Sequence, residues 1–128
     1  MRLQSPLSKV LGHGSARTGT GHWLAQRLTA IGLVPLGLWF IFSLVSFHEY
    51  GNYELVVRWV TEPLNAILLI LLVIALVYHS LLGLQVIIED YVHGALGYLS
   101  LIAAKFVHIF LAVAGIYAIV ATNLGAGQ

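Results

Sequence analysis

Cysteine is absent from the 128 residues, which excludes disulfides, thiolate zinc sites and cysteine-ligated iron–sulfur clusters on this chain. Charge is nearly as scarce. Only 9% of residues are charged, where a globular domain carries about 25%. Six basic and five acidic side chains cannot cover a water-facing surface. The apolar surface must therefore face something else, and lipid is the first candidate. A net charge of +1, with no basic stripe to track phosphates, excludes nucleic acid as a partner. What the chain has in quantity is apolar: 59% of its residues are hydrophobic, and six histidines stand out among the few polar ones. Imidazole is the usual axial ligand of haem and a common ligand of metals.

The first 26 residues are polar and punctuated by Gly, Ser and Thr. No apolar core with a small-residue cleavage site follows their basic residues, so the segment does not read as a secretory signal; a basic, Ser-bearing and acid-free stretch also fits a mitochondrial transit peptide, which stays open as an alternative. Residues 28–47 carry no charge, and twenty such residues form a helix of roughly 30 Å, the thickness of a hydrocarbon core. Pro35 lies inside that run and is tolerated where neighbouring groups take up the freed carbonyl. Residues 48–62 are polar, with Glu49, Glu54 and Glu62 against Arg58; Tyr50, Tyr53 and Trp59 fit an aromatic belt at a membrane surface. Within them ELVVRWV reads as a short interfacial helix. A second uncharged run covers residues 63–88, a polar corner follows at Glu89, Asp90, Tyr91, Val92 and His93, and a third run covers 94–122, broken by Lys105 and His108.

These runs predict an all-α fold, an integral membrane three-helix bundle. A cytoplasmic segment of residues 1–26 precedes an anchor domain of residues 27–128, with helices over about 27–48, 63–89 and 94–122. Arg2, Lys9, Arg17 and Arg27, with no acid among them, place the N-terminus in the cytoplasm, so three spans leave the C-terminus periplasmic. No internal repeat is evident. So small a bundle calls for a partner subunit as well as lipid.

Ionisable residues inside a membrane are functional candidates by default. His79 lies nine residues before the second run ends, and Gly83 follows one turn later on the same face. A glycine beside a buried imidazole lets a flat macrocycle approach the backbone. Asp90 falls about 20° from His79 around the helix and roughly 16 Å along it. One side thus carries an imidazole, a gap and a rim carboxylate, which suits a haem with a small-molecule site above it. That side is expected to face a companion subunit. The competing reading is a histidine that merely bridges helices. Lys105 and His108 share a face of the third helix, and there the bridging reading leads. Arg27 is either a positive-inside anchor or a partner for an anion. Trp23 and Tyr91 read as belt residues, although a phenol beside a carboxylate also suits a quinone carbonyl.

The run HSLLGLQVIIEDYVH, residues 79–93, resembles the H-x3-G-x6-D-Y pattern of the hydrophobic membrane-anchor subunits of succinate dehydrogenase, respiratory complex II. GTGHWLAQRLTAIGLVPLGLWF, residues 19–40, is similar to the start of the first helix in the alphaproteobacterial version. The resemblance covers nearly the whole chain. It implies that His79 is one axial ligand of a haem b shared with a companion cytochrome b anchor subunit, so that the metal site is the haem iron. It implies that Tyr91 hydrogen-bonds the ubiquinone headgroup, that Asp90 helps deliver protons, and that Arg27 lies near the haem propionates. It also implies docking of the iron–sulfur and flavoprotein subunits on the cytoplasmic side, and hence a non-catalytic-core subunit of succinate:ubiquinone oxidoreductase, inactive alone, in a bacterial inner membrane or, alternatively, a mitochondrial one. The roles of His22, Lys105 and His108 stay open. Two other functions compete: the anchor of a quinol:fumarate reductase, and a small transporter or channel subunit using Lys105 and His108 as a polar pathway.

Overall fold

The computed structural model describes residues 19–50 and 52–125, with side chains for 20–47 and 52–125. Arg2, Lys9 and Arg17, which carry most of the orientation argument, lie outside the described residues, as do the side chains of Glu49 and Tyr50. Four helices follow in order: α1 Gly19–Tyr50, α2 Tyr53–Thr61, α3 Pro63–Tyr91 and α4 Gly94–Gly125. α1, α3 and α4 are long and apolar enough to cross a membrane. α1 and α4 have 32 residues each, about 48 Å of helix, so both extend well past a hydrocarbon core of about 30 Å. α1 begins at Gly19, upstream of the charge-free run, because a backbone that is already helical keeps its hydrogen bonds on leaving lipid. Arg27 there folds back over the Trp23 ring, 5.1 Å from its centroid, a cation–π contact one turn apart.

The interfacial segment is a helix. Asn52 caps α2, its side-chain oxygen accepting from the Leu55 amide at 2.9 Å. Glu54 in the first turn and Arg58 in the last complement the helix dipole. α2 packs on α3 and α4, and its Trp59 reaches α1, stacking on Trp39 at 5.4 Å and meeting Phe47 edge-on at 5.5 Å. Two asparagine amides then satisfy its last carbonyls. Asn65 of α3 donates to the Trp59 carbonyl at 3.0 Å, and Asn123 of α4 donates to that of Val60 at 3.3 Å. α2 therefore closes one end of the bundle. Glu62 is extended, as the residue before a proline must be, and Pro63 opens α3 at its first position.

At the other end the α3–α4 corner is two residues long. Gly94 has φ +70°, a left-handed conformation that glycine adopts without strain. Gly97 is buried, and a Cβ there would run into the Val92 carbonyl. α3 is the middle element and packs on both α1 and α4. Small residues let α3 and α4 approach closely: a Cβ on Gly115 would lie 3.0 Å from Val73 Cγ1. No residue of α1's most apolar window is buried, and only 11% of those in α3 and α4 are. The bundle has almost no interior of its own, so its large apolar surface must be covered by lipid or by another subunit.

Candidate functional site

His79 sits on the side of α3 that meets α1 of the same chain, half-buried. Its Nδ1 lies 2.9 Å from the Thr29 hydroxyl, and that hydroxyl lies 2.8 Å from the Ala25 carbonyl and 3.1 Å from that of Gln26. Carbonyls only accept, so the single hydroxyl proton goes to them. Nδ1–H of His79 then donates to Thr29, and Nε2 keeps its lone pair. Among the described residues nothing else bonds to Nε2. A histidine that ligates a metal through one nitrogen while the other is fixed by a donated hydrogen bond has this arrangement.

One turn on, Gly83 faces Gln26 of α1: a Cβ added to it would meet only the Gln26 amide nitrogen, at 3.6 Å. Among the described residues the buried side-chain oxygen of Gln26 has no hydrogen-bond partner, which leaves it an open acceptor. Beside them an open crevice of about 610 Å³ runs between α1 and α3, lined by His22, Trp23, Gln26, Gly83, Gln85 and Glu89 among others. His79 does not itself line that crevice, but a ring nitrogen with no partner among the described residues, a glycine one turn on and an open acceptor are the kinds of group that one flank of a haem pocket uses. The expected companion-facing side of α3 is thus shared with α1 of this chain, because the Thr29 bond draws it inward.

The rim residues are spread more widely than the sequence suggests. Asp90 and Tyr91 are both exposed, Tyr91 at 79%. Asp90 lies on the His79 side, but Tyr91 is about 120° away from His79 around the helix axis. The phenol and the carboxylate therefore project in different directions from the end of α3. Arg27 is exposed and rests on Trp23 rather than in the crevice.

His108 and Lys105 part company. His108 is 8% exposed; its Nδ1 lies 2.7 Å from the Ala104 carbonyl and its Nε2 3.3 Å from the Ser80 hydroxyl. The carbonyl must accept, so Nδ1–H donates to it and the Ser80 hydroxyl donates to Nε2. Both nitrogens are occupied, which is the bridging arrangement. Lys105 is exposed on another side of α4, so the two do not form a continuous polar path. Thr29, Gln26 and Ser80 escape a reading of the sequence. Each is neutral and unremarkable in type, and the only signal is its depth: a hydroxyl or amide inside a span needs a partner.

Three apolar helices of spanning length, closed by a surface helix and nearly without a core, define an all-helical, multi-pass membrane protein. A family model described as succinate dehydrogenase/fumarate reductase transmembrane subunit matches residues 1–122, and the chain belongs to that family. It is similar to the succinate dehydrogenase hydrophobic membrane anchor subunit of Rickettsia bellii (strain RML369-C), 36% identical over 118 residues, which are 91% of this chain and 94% of that one. The protein of the same description from Paracoccus denitrificans is 28% identical over 127 residues, 98% of this chain and 97% of its own. The succinate dehydrogenase membrane anchor subunit of Reclinomonas americana is 32% identical over 88 residues, 67% of this chain and 73% of its own. No solved structure matches. The resemblance read from residues 79–93 and 19–40 is thereby established: this is a membrane-anchor subunit of the succinate dehydrogenase type.

Proposed function

We propose that the chain holds one flank of a haem b and one wall of a ubiquinone site in succinate dehydrogenase, and anchors the iron–sulfur and flavoprotein subunits to a bacterial inner membrane. The observation that carries this reading is the bond from His79 to Thr29, which fixes the ring and leaves Nε2 as the free nitrogen. His79, through Nε2, would hold the haem iron together with a residue of a companion cytochrome b anchor subunit. A bound haem b supplies a one-electron store of a potential set by its ligands and surroundings. Arg27, always charged, would neutralise a propionate of that group.

Reduction of a quinone to a quinol takes two electrons and two protons. Tyr91 donates a hydrogen bond to one quinone oxygen and orients the headgroup. Asp90, exposed at the same end of α3, holds a proton and passes it toward the site. Succinate is oxidised in the flavoprotein, and the electrons arrive through the iron–sulfur subunit, so this chain alone is inactive. The basic residues Arg2, Lys9, Arg17 and Arg27 support a cytoplasmic N-terminus, which puts the α3–α4 corner on the cytoplasmic side, within reach of those subunits, and the C-terminus in the periplasm.

The test is a reduced-minus-oxidised spectrum of the purified complex. A b-type signal is expected that disappears in His79→Ala; an unaltered signal in that variant would show that the ligand is another residue. The family description also covers fumarate reductases, and the ratio of succinate oxidation to fumarate reduction with the same preparation separates the two.

A further inference from the structure

α3 is tied on two sides at one level. His79 reaches α1 through Thr29, and the next residue, Ser80, reaches α4 through His108. Successive residues on a helix point about 100° apart, so the two ties pull in different directions and together remove rotation about the axis. Apolar side chains that face lipid contribute little to this. In a bilayer they gain little by facing a helix instead of lipid, and direction comes from close packing and hydrogen bonds. His108 is well prepared for the part. Its Nδ1–H is committed to the Ala104 carbonyl of its own helix at 2.7 Å, which fixes the tautomer and presents Nε2 to Ser80 as an acceptor. Its flank is mostly apolar, with Val77, Leu81 and Ala112 beside Tyr78 around a small cavity of about 240 Å³.

We propose that the Ser80–His108 hydrogen bond sets the rotation of α3 and thereby aims Nε2 of His79. Ser80 and His108 are positioning residues and never touch the iron. The inference rests on the reading of His79 as a haem ligand, and its test separates the two.

A covalent reporter is available because the natural chain has no cysteine. An added Cβ on Gly115 lies 3.8 Å from Val73 Cβ, the usual spacing across a disulfide. Val73 is seven residues before Ser80, about 20° from it around α3, so the pair reports on the same interface. The parent is V73C/G115C in the assembled complex in membranes, with the rate of the intrachain cross-link followed by mass spectrometry of this subunit. Adding Ser80→Ala is expected to slow cross-linking about threefold, the factor carried by a membrane hydrogen bond of average strength, and to broaden the low-spin haem resonance. Ser80→Thr, which keeps the hydroxyl, is expected to restore both. Cross-linking at the parental rate in Ser80→Ala overturns the proposal, and so does slowed cross-linking with an unchanged haem resonance. A parent complex with no b-type spectrum would remove the ligand reading of His79, while the cross-linking rate would still decide whether the tie sets the rotation.

Discussion

The two interfaces of α3 use the same side chain in opposite ways. Against α4, His108 is buried and both of its nitrogens are engaged. The helices close up around it, with Gly115 pressed against Val73. Against α1, His79 has one nitrogen engaged and one without a partner among the described residues, Gly83 opens on Gln26, and a crevice of about 610 Å³ lies alongside. Depth in the membrane does not separate these histidines. What separates them is how many nitrogens the protein itself satisfies, because a saturated imidazole has no lone pair left to give.

That contrast can be broken at either interface. The largest effect is expected on the open side. Thr29→Val removes the acceptor that fixes His79, and loss of such an outer partner weakens ligation by about 10–100-fold; haem retention during purification measures it, and unchanged retention would show that Thr29 does not orient the ring. On the closed side, Gly115→Leu overpacks the contact with Val73 and is expected to destabilise the subunit by about 1–3 kcal/mol, read as a lower unfolding temperature of the complex. If the haem line in Gly115→Leu keeps its shape while stability falls, the two interfaces are separable. Tyr91→Phe removes the phenol proposed to donate to the quinone, a hydrogen bond worth about 1 kcal/mol. Its KM for quinone should rise roughly fivefold with the haem spectrum intact. The smallest effect is expected from Gly83→Ala, whose new methyl meets only the Gln26 amide at 3.6 Å: thermal stability should match the parent, and a large loss would mean that the α1–α3 interface is closed after all.

The spans can be read directly because lipid demands long uncharged runs and leaves little freedom in how they are laid out. The surface helix is legible from ELVVRWV, flanked by Asn52 and Pro63, although its two asparagine caps from α3 and α4 are not: Asn65 and Asn123 lie far from Trp59 and Val60 along the chain or on another helix. His79, Gly83 and Asp90 fall on one helical face by arithmetic. Tyr91 does not, and only adjacency in the chain groups it with Asp90. Lys105 and His108 are paired by spacing and separated by the fold, since a difference of about 60° around α4 is enough to turn one toward α3 and the other outward.

Composition alone determined that this chain lives in a membrane, and the charges flanking the first two uncharged runs marked where those spans leave it, since burying an ion in hydrocarbon is costly wherever the fold places it. Which histidine is spare was decided only by tertiary structure. A free lone pair depends on whether a hydroxyl or carbonyl stands within about 3 Å of each ring nitrogen, and for His79 and His108 the deciding groups, Thr29 and Ser80, come from other helices.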